Sequence, residues 1–295
     1  MATTDTYPEV FAALGPQLSE ADALRAAIDE KKGLDPTLWE SVITKLRTDW
    51  TYHSCGIEGS TLTRGETHFF LSEGLTVEGK PFKDFLDARN HAEAIDLFFD
   101  VVAGNQAITE GLIKEVNALL LRGVSHTPAK TPTGQAVRKP AHPGQYKREP
   151  NHVLKQDGTI HYYVEPIYVK DEMEQLVTWV NQSLNRIHPV HVAAVAHYNQ
   201  VRIHAFDDGN GRGARFLMNL VLLHKRYFPA VVHLETKRRY LQALNEADSG
   251  NLAPFVGYIA DTVIATQKSV LDVLEGRSTT HAHLSSTPTA REAGK

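Results

Sequence analysis

Apolar residues recur at spacings of three and four along most of the chain, which is the period of one buried face on an α-helix. Residues that favour helix boundaries accompany this pattern. Pro36 suits a first helical position, Thr109 an N-cap before Glu110, and Gly123 a helix end after LLLR. The pattern predicts a mainly α-helical fold. Helices are expected near residues 36–57, 82–103, 108–122, 170–186, 189–203, 210–226, 236–247 and 252–275.

The helical pattern breaks between Gly123 and Asp171, where prolines and glycines are too frequent for a long helix. We expect a long loop region there. Within it, the segment NHVLKQDGTIHYYVEP has β-capable runs on either side of Asp157 and Gly158, a pair that favours a tight hairpin turn. One small β-hairpin is therefore expected on the helical body. The residues that break the pattern are Pro128, Pro132, Gly134, Pro140, Pro143, Gly144 and Pro150.

The composition of the 295-residue chain is that of a folded globular protein, with 42% hydrophobic and 22% charged residues. A formal net charge of −4 argues against a nucleic acid as the main partner, because binding one requires neutralising its phosphates. Cys55 is the single cysteine, which excludes an intrachain disulfide. No secretory pattern opens the chain, and its most apolar run, 217–223, is shorter than the ~20 residues of a membrane span. We expect a cytoplasmic location and no membrane association.

The run HAFDDGNGRGAR at 204–215 lies between two predicted helices and leads into the start of the second. The first N–H groups of a helix have no internal partner and carry the positive end of its dipole, so they attract anions. Gly209 and Gly211 let the backbone approach a phosphate closely. Arg212 and Arg215 are three residues apart, so both can direct guanidinium groups toward phosphate oxygens. We expect a triphosphate to bind there.

Two further side chains of this run have chemistry that suits a phosphate site. His204 has an imidazole that can accept a proton near neutral pH, which makes it the candidate base. Asp208 is an acidic residue beside a phosphate site, an arrangement that requires a bridging cation such as Mg²⁺. An EF-hand is excluded because its pattern of ligands is missing, and a Walker loop because no Gly-Lys-Ser/Thr is present. A polar turn without a ligand stays open as an alternative.

These residues resemble the signature HPFxxGNGRxxR of the Fic-domain (Fido) proteins. The resemblance extends over roughly residues 108–265. It departs from the signature at Ala205, where the family usually has proline, so we expect a less rigid loop with every functional group retained. The matching positions are His204, Phe206, Asp208, Gly209, Asn210, Gly211, Arg212 and Arg215.

The resemblance implies a Fic/Fido helical bundle with a β-hairpin flap and the activity of a protein adenylyltransferase. His204 would deprotonate a Ser, Thr or Tyr hydroxyl of a target protein, and that oxygen would attack the α-phosphate of ATP and release pyrophosphate. Asp208 would hold Mg²⁺. The groups expected to bind the nucleotide phosphates are Gly209, Asn210, Gly211, Arg212 and Arg215.

The resemblance also suggests where the adenine and the target protein bind. Tyr240 would form a wall of the adenine pocket, although a tyrosine in the core is an equally good interpretation. The hairpin at 151–169 would be the flap that aligns a target segment by strand addition. The protein itself is expected among the targets, and a homodimer is left open.

A second motif lies upstream, where Ser54 is followed four residues later by Glu58 and then by Gly59. It matches the inhibitory pattern of one class of the family. We predict that Glu58 pairs with Arg215 and so prevents that guanidinium from holding the γ-phosphate. The expected organisation is an N-terminal helical region at 1–107 with this motif, a Fido catalytic core at 108–277 and a disordered tail at 278–295.

Two alternative functions use the same residues differently. Glu58 could position a water molecule that removes AMP from a modified protein, which would make the chain a hydrolase or an enzyme that works in both directions. Alternatively, the chain is a catalytically idle Fic-like module that binds partners through its flap. The intact His204, Asp208 and both arginines argue against the second alternative.

Overall fold

The structure is a computed structural model that describes residues 6–8, 14–131, 134–154 and 158–277. Within these residues the chain forms ten α-helices and four short β-strands. The helices are α1 (Gly15–Lys31), α2 (Pro36–Ile57), α3 (Arg64–Glu73), α4 (Phe82–Ala103), α5 (Glu110–Leu120), α6 (Val169–Ser183), α7 (Pro189–Ile203), α8 (Asn210–His224), α9 (Lys237–Asp248) and α10 (Ala253–Leu274). The strands are β1 (His126–Lys130), β2 (Ala136–Pro140), β3 (Val153–Leu154) and β4 (Ile160–His161). The predicted tail at 278–295 lies outside the described residues.

The predicted helical fold is confirmed, and eight of these helices lie where the apolar periodicity places them. Asp35 caps α2 with Pro36 at its first position, and Thr109 caps α5. The periodicity does not predict α1, which buries only two residues, or α3, which buries one. A capping box formed by Thr63 and Glu66 marks the start of α3, so its Thr-x-x-Glu pattern was a usable signal.

One large apolar core joins most of the helices. Helix α7 lies at its centre and is buried along nearly its whole length, between α6, α8 and α10. Trp50 of α2 and Phe98 of α4 belong to the same core as Phe216 of α8 and Phe255 of α10. The core therefore runs across the predicted boundary between residues 107 and 108, and the division into two regions there stays a prediction.

Where the sequence predicts a long loop that contains one hairpin, the structure has two antiparallel hairpins. Strands β1 and β2 pair with Thr127 opposite Lys139, so the expectation of irregular chain is wrong at 126–140. Prolines fit in this hairpin because each strand pairs on one side only, and the missing N–H can face outward. The predicted hairpin is present as β3 and β4, with Val153 opposite His161, while Asp157 of its predicted turn lies outside the described residues. The described helices include no segment that combines membrane-spanning length with a continuously apolar surface.

Candidate active site

The loop between α7 and α8 turns sharply at both of its ends. His204 ends α7 with φ 51° and ψ 54°, a left-handed conformation that residues other than glycine adopt rarely. Gly209 precedes α8 with φ 77°, and a Cβ there would lie 3.1 Å from Nδ2 of Asn117, so both backbone and space require glycine. Asn210 closes the loop, because its Oδ1 accepts from the Phe206 N–H at 2.9 Å and its Nδ2 donates to the Phe206 carbonyl at 2.7 Å.

The imidazole of His204 is buried beneath the hairpin formed by β3 and β4. Tyr163, two residues after β4, stacks on it with ring centroids 3.7 Å apart and an interplanar angle of 14°. Burial lowers the pKa of His204 to about 3, and the ammonium group of Lys147 acts in the same direction. Nδ1 is buried and the ring interacts with the backbone of Val201, which leaves Nε2 as the nitrogen that can face a substrate. The ring is therefore neutral at physiological pH and able to accept a proton.

Arg215 is held by the upstream motif rather than left open to a ligand. Its Nη2 donates to Oε1 of Glu58 at 2.7 Å and to the Ser54 carbonyl at 3.0 Å, and its Nε donates to Oγ of Ser54 at 3.0 Å. Burial alone would raise the pKa of the Glu58 carboxyl, but Arg215, with smaller contributions from Arg212 and Lys237, holds that pKa below its ordinary value. Glu58 is thus an anion at the start of α8.

The Glu58 carboxylate also lies against the glycine that was expected to face a phosphate. A Cβ built on Gly211 would be 2.6 Å from Oε1 of Glu58. The same carboxylate is close enough to His204 to favour protonation of its ring. The candidate base, the glycine-rich helix start and the upstream glutamate therefore share one site, in which a protein carboxylate takes the position suited to a bound anion.

Arg212 is occupied by a residue that the sequence analysis did not single out. Its Nη1 donates to Oδ1 of Asp87 on α4 at 2.9 Å, and both side chains are buried. Asp87 also accepts from Lys83 on the same helix. An acidic residue on the apolar face of α4, next to the buried Ala88, was the available signal for this contact. Arg212 is therefore neutralised from inside the protein, before any ligand binds.

Asp208 is half-exposed at the edge of the helix start. Its Oδ1 accepts from the Gly209 N–H at 2.5 Å and lies 3.8 Å from Nη2 of Arg212, while its carbonyl accepts from Asn117 at 2.9 Å. Mg²⁺ is usually bound by one or two carboxylates together with phosphate oxygens and water. A carboxylate that is fixed by the loop and still open on one side fits that requirement.

A second group of metal-binding residue types lies elsewhere, at His53, His233 and Glu235, whose ligand atoms are within 4.8 Å of one another. Nδ1 of His53 accepts a hydrogen bond from the Leu234 N–H at 3.1 Å. This hydrogen bond occupies the lone pair that Nδ1 would donate to a metal ion, and the side chains of His233 and Glu235 are largely exposed. We assign no metal to this cluster.

Tyr240 lies in the core rather than on an open surface. Only 2% of it is exposed, and its hydroxyl hydrogen-bonds to Nε2 of His197 at 2.9 Å. Arg215 is close enough to its hydroxyl to oppose the effect of burial, which raises the pKa of Tyr240 to about 12. The expected role as a wall of an adenine pocket stays a prediction.

The hairpin of β3 and β4 presents apolar side chains to solvent next to the site. Val153, Ile160 and Tyr162 are 45%, 48% and 69% exposed, whereas the neighbouring Tyr163 turns inward onto His204. Each of its two short strands has an open edge within the described residues. The hairpin thus combines free backbone groups with exposed apolar side chains, the two features that a peptide can use to add as a further strand.

Together these features define an α-helical protein with a neutral imidazole beside an anion-binding helix start. Residues 107–222 match the model of the Fic/DOC family. Among solved structures, a Fic domain-containing signalling protein from Bacteroides thetaiotaomicron aligns with a TM-score of 0.77 at 28% identity, over 89% of this chain and 98% of that chain. Residues 107–222 therefore form a domain of the Fic/DOC family.

Two curated relatives illustrate the similarity in sequence. Protein adenylyltransferase fic-1 of Caenorhabditis elegans is 32% identical over 212 residues, which are 72% of this chain and 38% of that protein. Protein adenylyltransferase Fic of Drosophila persimilis is 31% identical over 247 residues, which are 82% of this chain and 43% of that protein. The chain spans about two fifths of the length of these relatives.

Proposed function

We propose that the chain is a protein adenylyltransferase that transfers AMP from ATP to a Ser, Thr or Tyr hydroxyl of a target protein. The observation that carries the proposal is the neutral His204 imidazole beside the start of α8, where the Glu58 carboxylate lies against Gly211 and Arg215 as a bound anion would. The names of the curated relatives support the same activity. Arg212, Arg215 and the Asp208 carboxylate all lie at the start of α8, which further supports the proposal.

In the proposed reaction, Nε2 of His204 takes the proton of the target hydroxyl as its oxygen bonds to the α-phosphorus of ATP. The bond between that phosphorus and the oxygen bridging to the β-phosphate breaks, and pyrophosphate leaves with the electron pair. The N–H groups at the start of α8, with Arg212 and Arg215, stabilise the negative charge on the phosphates. Mg²⁺, held by Asp208, would offset further charge on them when bound.

The resting state is proposed to be inhibited by Glu58. Its carboxylate occupies the space beside Gly211 and engages Arg215, which the γ-phosphate would otherwise use. ATP then binds in a geometry that does not align the α-phosphate with the target oxygen. Arg212 differs, because its partner Asp87 belongs to the core and is not displaced by a nucleotide.

Target proteins are proposed to dock on the flap at 151–169 by adding a strand to the hairpin. The exposed Val153, Ile160 and Tyr162 would contact the target beside that strand. Because Tyr163 covers His204, the flap must shift when a target hydroxyl reaches the imidazole. Modification of the protein itself and a cytoplasmic location stay predictions.

The proposal is tested by incubating the full chain with Mg²⁺ and ATP labelled in its α-phosphate, alone and with candidate target proteins. We expect Glu58→Gly to incorporate label into protein, and Glu58→Gly combined with His204→Ala to lose at least ~100-fold in rate, the low end for removing a general base. Release of AMP from a previously modified target without any transfer would support the hydrolase instead. If neither transfer nor release of AMP is detected, the result supports the non-catalytic binding module.

A further inference from the structure

The four carbonyl groups of residues 203–206, which surround His204 in the chain, all accept hydrogen bonds from one neighbouring segment. Two residues of that segment donate to all four, and only the Phe206 carbonyl also accepts from within the loop, from Nδ2 of Asn210 at 2.7 Å. Lys147 donates from Nζ to Ile203 at 3.4 Å and from its N–H to Ala205 at 2.8 Å, and Asn151 donates from Nδ2 to His204 at 3.2 Å and to Phe206 at 2.9 Å. Asn151 in turn accepts from Nζ of Lys147 at 2.7 Å, so the two side chains form one unit.

This stretch of backbone needs support from outside itself. The last carbonyl groups of a helix have no partner within the helix, and those of residues 203 and 204 follow that rule at the end of α7. His204 is also in the left-handed region, which is unfavourable for a residue with a Cβ. Ala205 lacks the ring that would fix φ if proline stood there. The hydrogen bonds from Lys147 and Asn151 therefore support residues 203–205, which the contacts between Asn210 and Phe206 do not reach.

We propose that Lys147 and Asn151 are positioning residues that hold the imidazole of His204 in the orientation needed to take a proton from a target hydroxyl. The assignment rests on the proposed adenylyl transfer. Both residues contact the loop at 203–206 rather than the start of α8, which is proposed to bind the nucleotide phosphates. Their loss should therefore slow the chemical step without weakening the binding of ATP.

Lys147 has a second, electrostatic effect on the same imidazole. The residue is only 3% exposed, and among the described side chains no carboxylate lies within 4.0 Å of its Nζ. Its positive charge opposes protonation of His204, as does His161, whereas Glu58 favours it and Tyr163 covers the ring. Burial lowers the pKa of Lys147 itself to about 8, so that it is mainly charged at neutral pH. Lys147 thus supports the loop that carries the imidazole and adds to the effect of burial, which lowers the pKa of His204 most.

The orienting role is tested with Asn151→Ala in the full chain that also carries Glu58→Gly. We expect kcat for label transfer to fall about 10- to 100-fold with KM for ATP within about twofold, since an ångström-scale shift of a catalytic group has an effect of this size. Asn181→Ala is the matched control, because its Nδ2 also donates to two carbonyls, at 2.8 and 2.9 Å, in a contact between α6 and Ile108. An unchanged kcat for Asn151→Ala, or a raised KM alone, would overturn the proposal.

The electrostatic role is tested without any enzymatic assay, by NMR titration of ¹⁵N-histidine-labelled protein. We expect Lys147→Met to raise the pKa of His204, with about tenfold tighter proton binding, and Lys147→Arg to leave it near the parent value. Equal titration of the Met variant and the parent would overturn this part of the proposal. If Lys147→Met does not fold, Lys147→Gln, which also removes the charge, takes its place in the titration, and Asn151→Ala still tests the orienting role. If the Glu58→Gly parent transfers no label, the proposed adenylyl transfer is refuted, whereas the titration still tests the effect of Lys147 on the pKa of His204.

Discussion

Replacing Glu58 should raise the rate of adenylyl transfer by freeing Arg215 from its strongest partner. The guanidinium of Arg215 has three hydrogen bonds to the upstream motif, one to the Glu58 carboxylate and two to Ser54. Glu58→Gly removes the charged contact and the carboxylate beside Gly211. Glu58→Gln keeps an amide oxygen that can still accept a hydrogen bond, and Ser54→Ala removes only one neutral contact. The expected order of activation is therefore Gly, then Gln, then the Ser54 variant.

The size of the effect follows from the burial of the pair. A hydrogen bond to a charged group contributes about 1.5–3 kcal/mol. Arg215 has 3% of its side chain exposed but Glu58 has 39%, so solvent screens the pair and the lower end of that range applies. About 1.5 kcal/mol corresponds to slightly more than a tenfold change in the fraction of Arg215 that is free. We therefore expect at least a tenfold higher rate for Glu58→Gly, and about twofold to tenfold for Ser54→Ala.

The assay is the initial rate of label transfer from α-labelled ATP at saturating Mg²⁺ and nucleotide, with ATP affinity measured separately by calorimetry. Glu93→Gln is the matched control, since Glu93 pairs with Arg89 and Arg122 on the surface and should leave the rate unchanged. Equal rates for the parent chain and Glu58→Gly at saturating ATP would refute the inhibitory role of this contact.

Three further predictions concern groups around the site. Asp87→Asn leaves Arg212 buried without its ion pair, so urea unfolding should show a loss of about 3 kcal/mol in the free energy of unfolding. The control is Asp96→Asn, which removes the more exposed partner of Arg47 and should cost at most ~1 kcal/mol. Equal losses for the two variants would contradict this prediction. Burial lowers the pKa of His91 well below 6.5 and that of His197 to about 3. As pH falls, the unfolded chain protonates these two histidines before the folded protein does. The contribution of the two neutral imidazoles to the free energy of unfolding is therefore complete above pH 6.5 and declines below it, by about 1 kcal/mol for each histidine at pH 5.5. A urea midpoint independent of pH would contradict this. Asp208→Asn should raise the Mg²⁺ concentration needed for half-maximal transfer, and an unchanged Mg²⁺ titration would remove the metal role.

Helices with strongly one-sided burial are predicted readily from the sequence. Helices α5 and α6 alternate buried and exposed faces, so periodicity alone locates them. Helix α1 buries only Ala21 and Ile28, and its position depends on packing against α10 that no local pattern reveals. The hairpin of β1 and β2 is missed for a related reason. Its prolines disfavour a paired strand unless the strand has an open edge, and that is a property of the assembled sheet.

The candidate site divides in the same way between local and distant contacts. The loop at 204–215 is continuous in sequence, so its glycines, arginines and histidine could be assigned to one site from their spacing. Asp87 is 125 positions from Arg212, and Tyr163 comes from a segment whose inward orientation depends on how the hairpin folds back. Glu58 is 157 positions from Arg215, and only a resemblance to known proteins pointed to this partner. Spacing predicts the groups that are proposed to act on a substrate better than the groups that hold them in position.

The way α2 is built into the protein constrains how Arg215 can be released. Trp50 of α2 is 1% exposed and packs on Phe216 of α8, the helix that carries Arg215. Lys237 donates to the Ile57 carbonyl at 2.6 Å, and Asp84 accepts from both the N–H and the hydroxyl of Thr61 at 2.7 Å, so the chain is anchored on each side of Glu58. Detaching α2 would open the core, whereas turning the partly exposed Glu58 side chain would not. On the proposed inhibition, an activating signal therefore acts on residues 58–60 and leaves the helix in place.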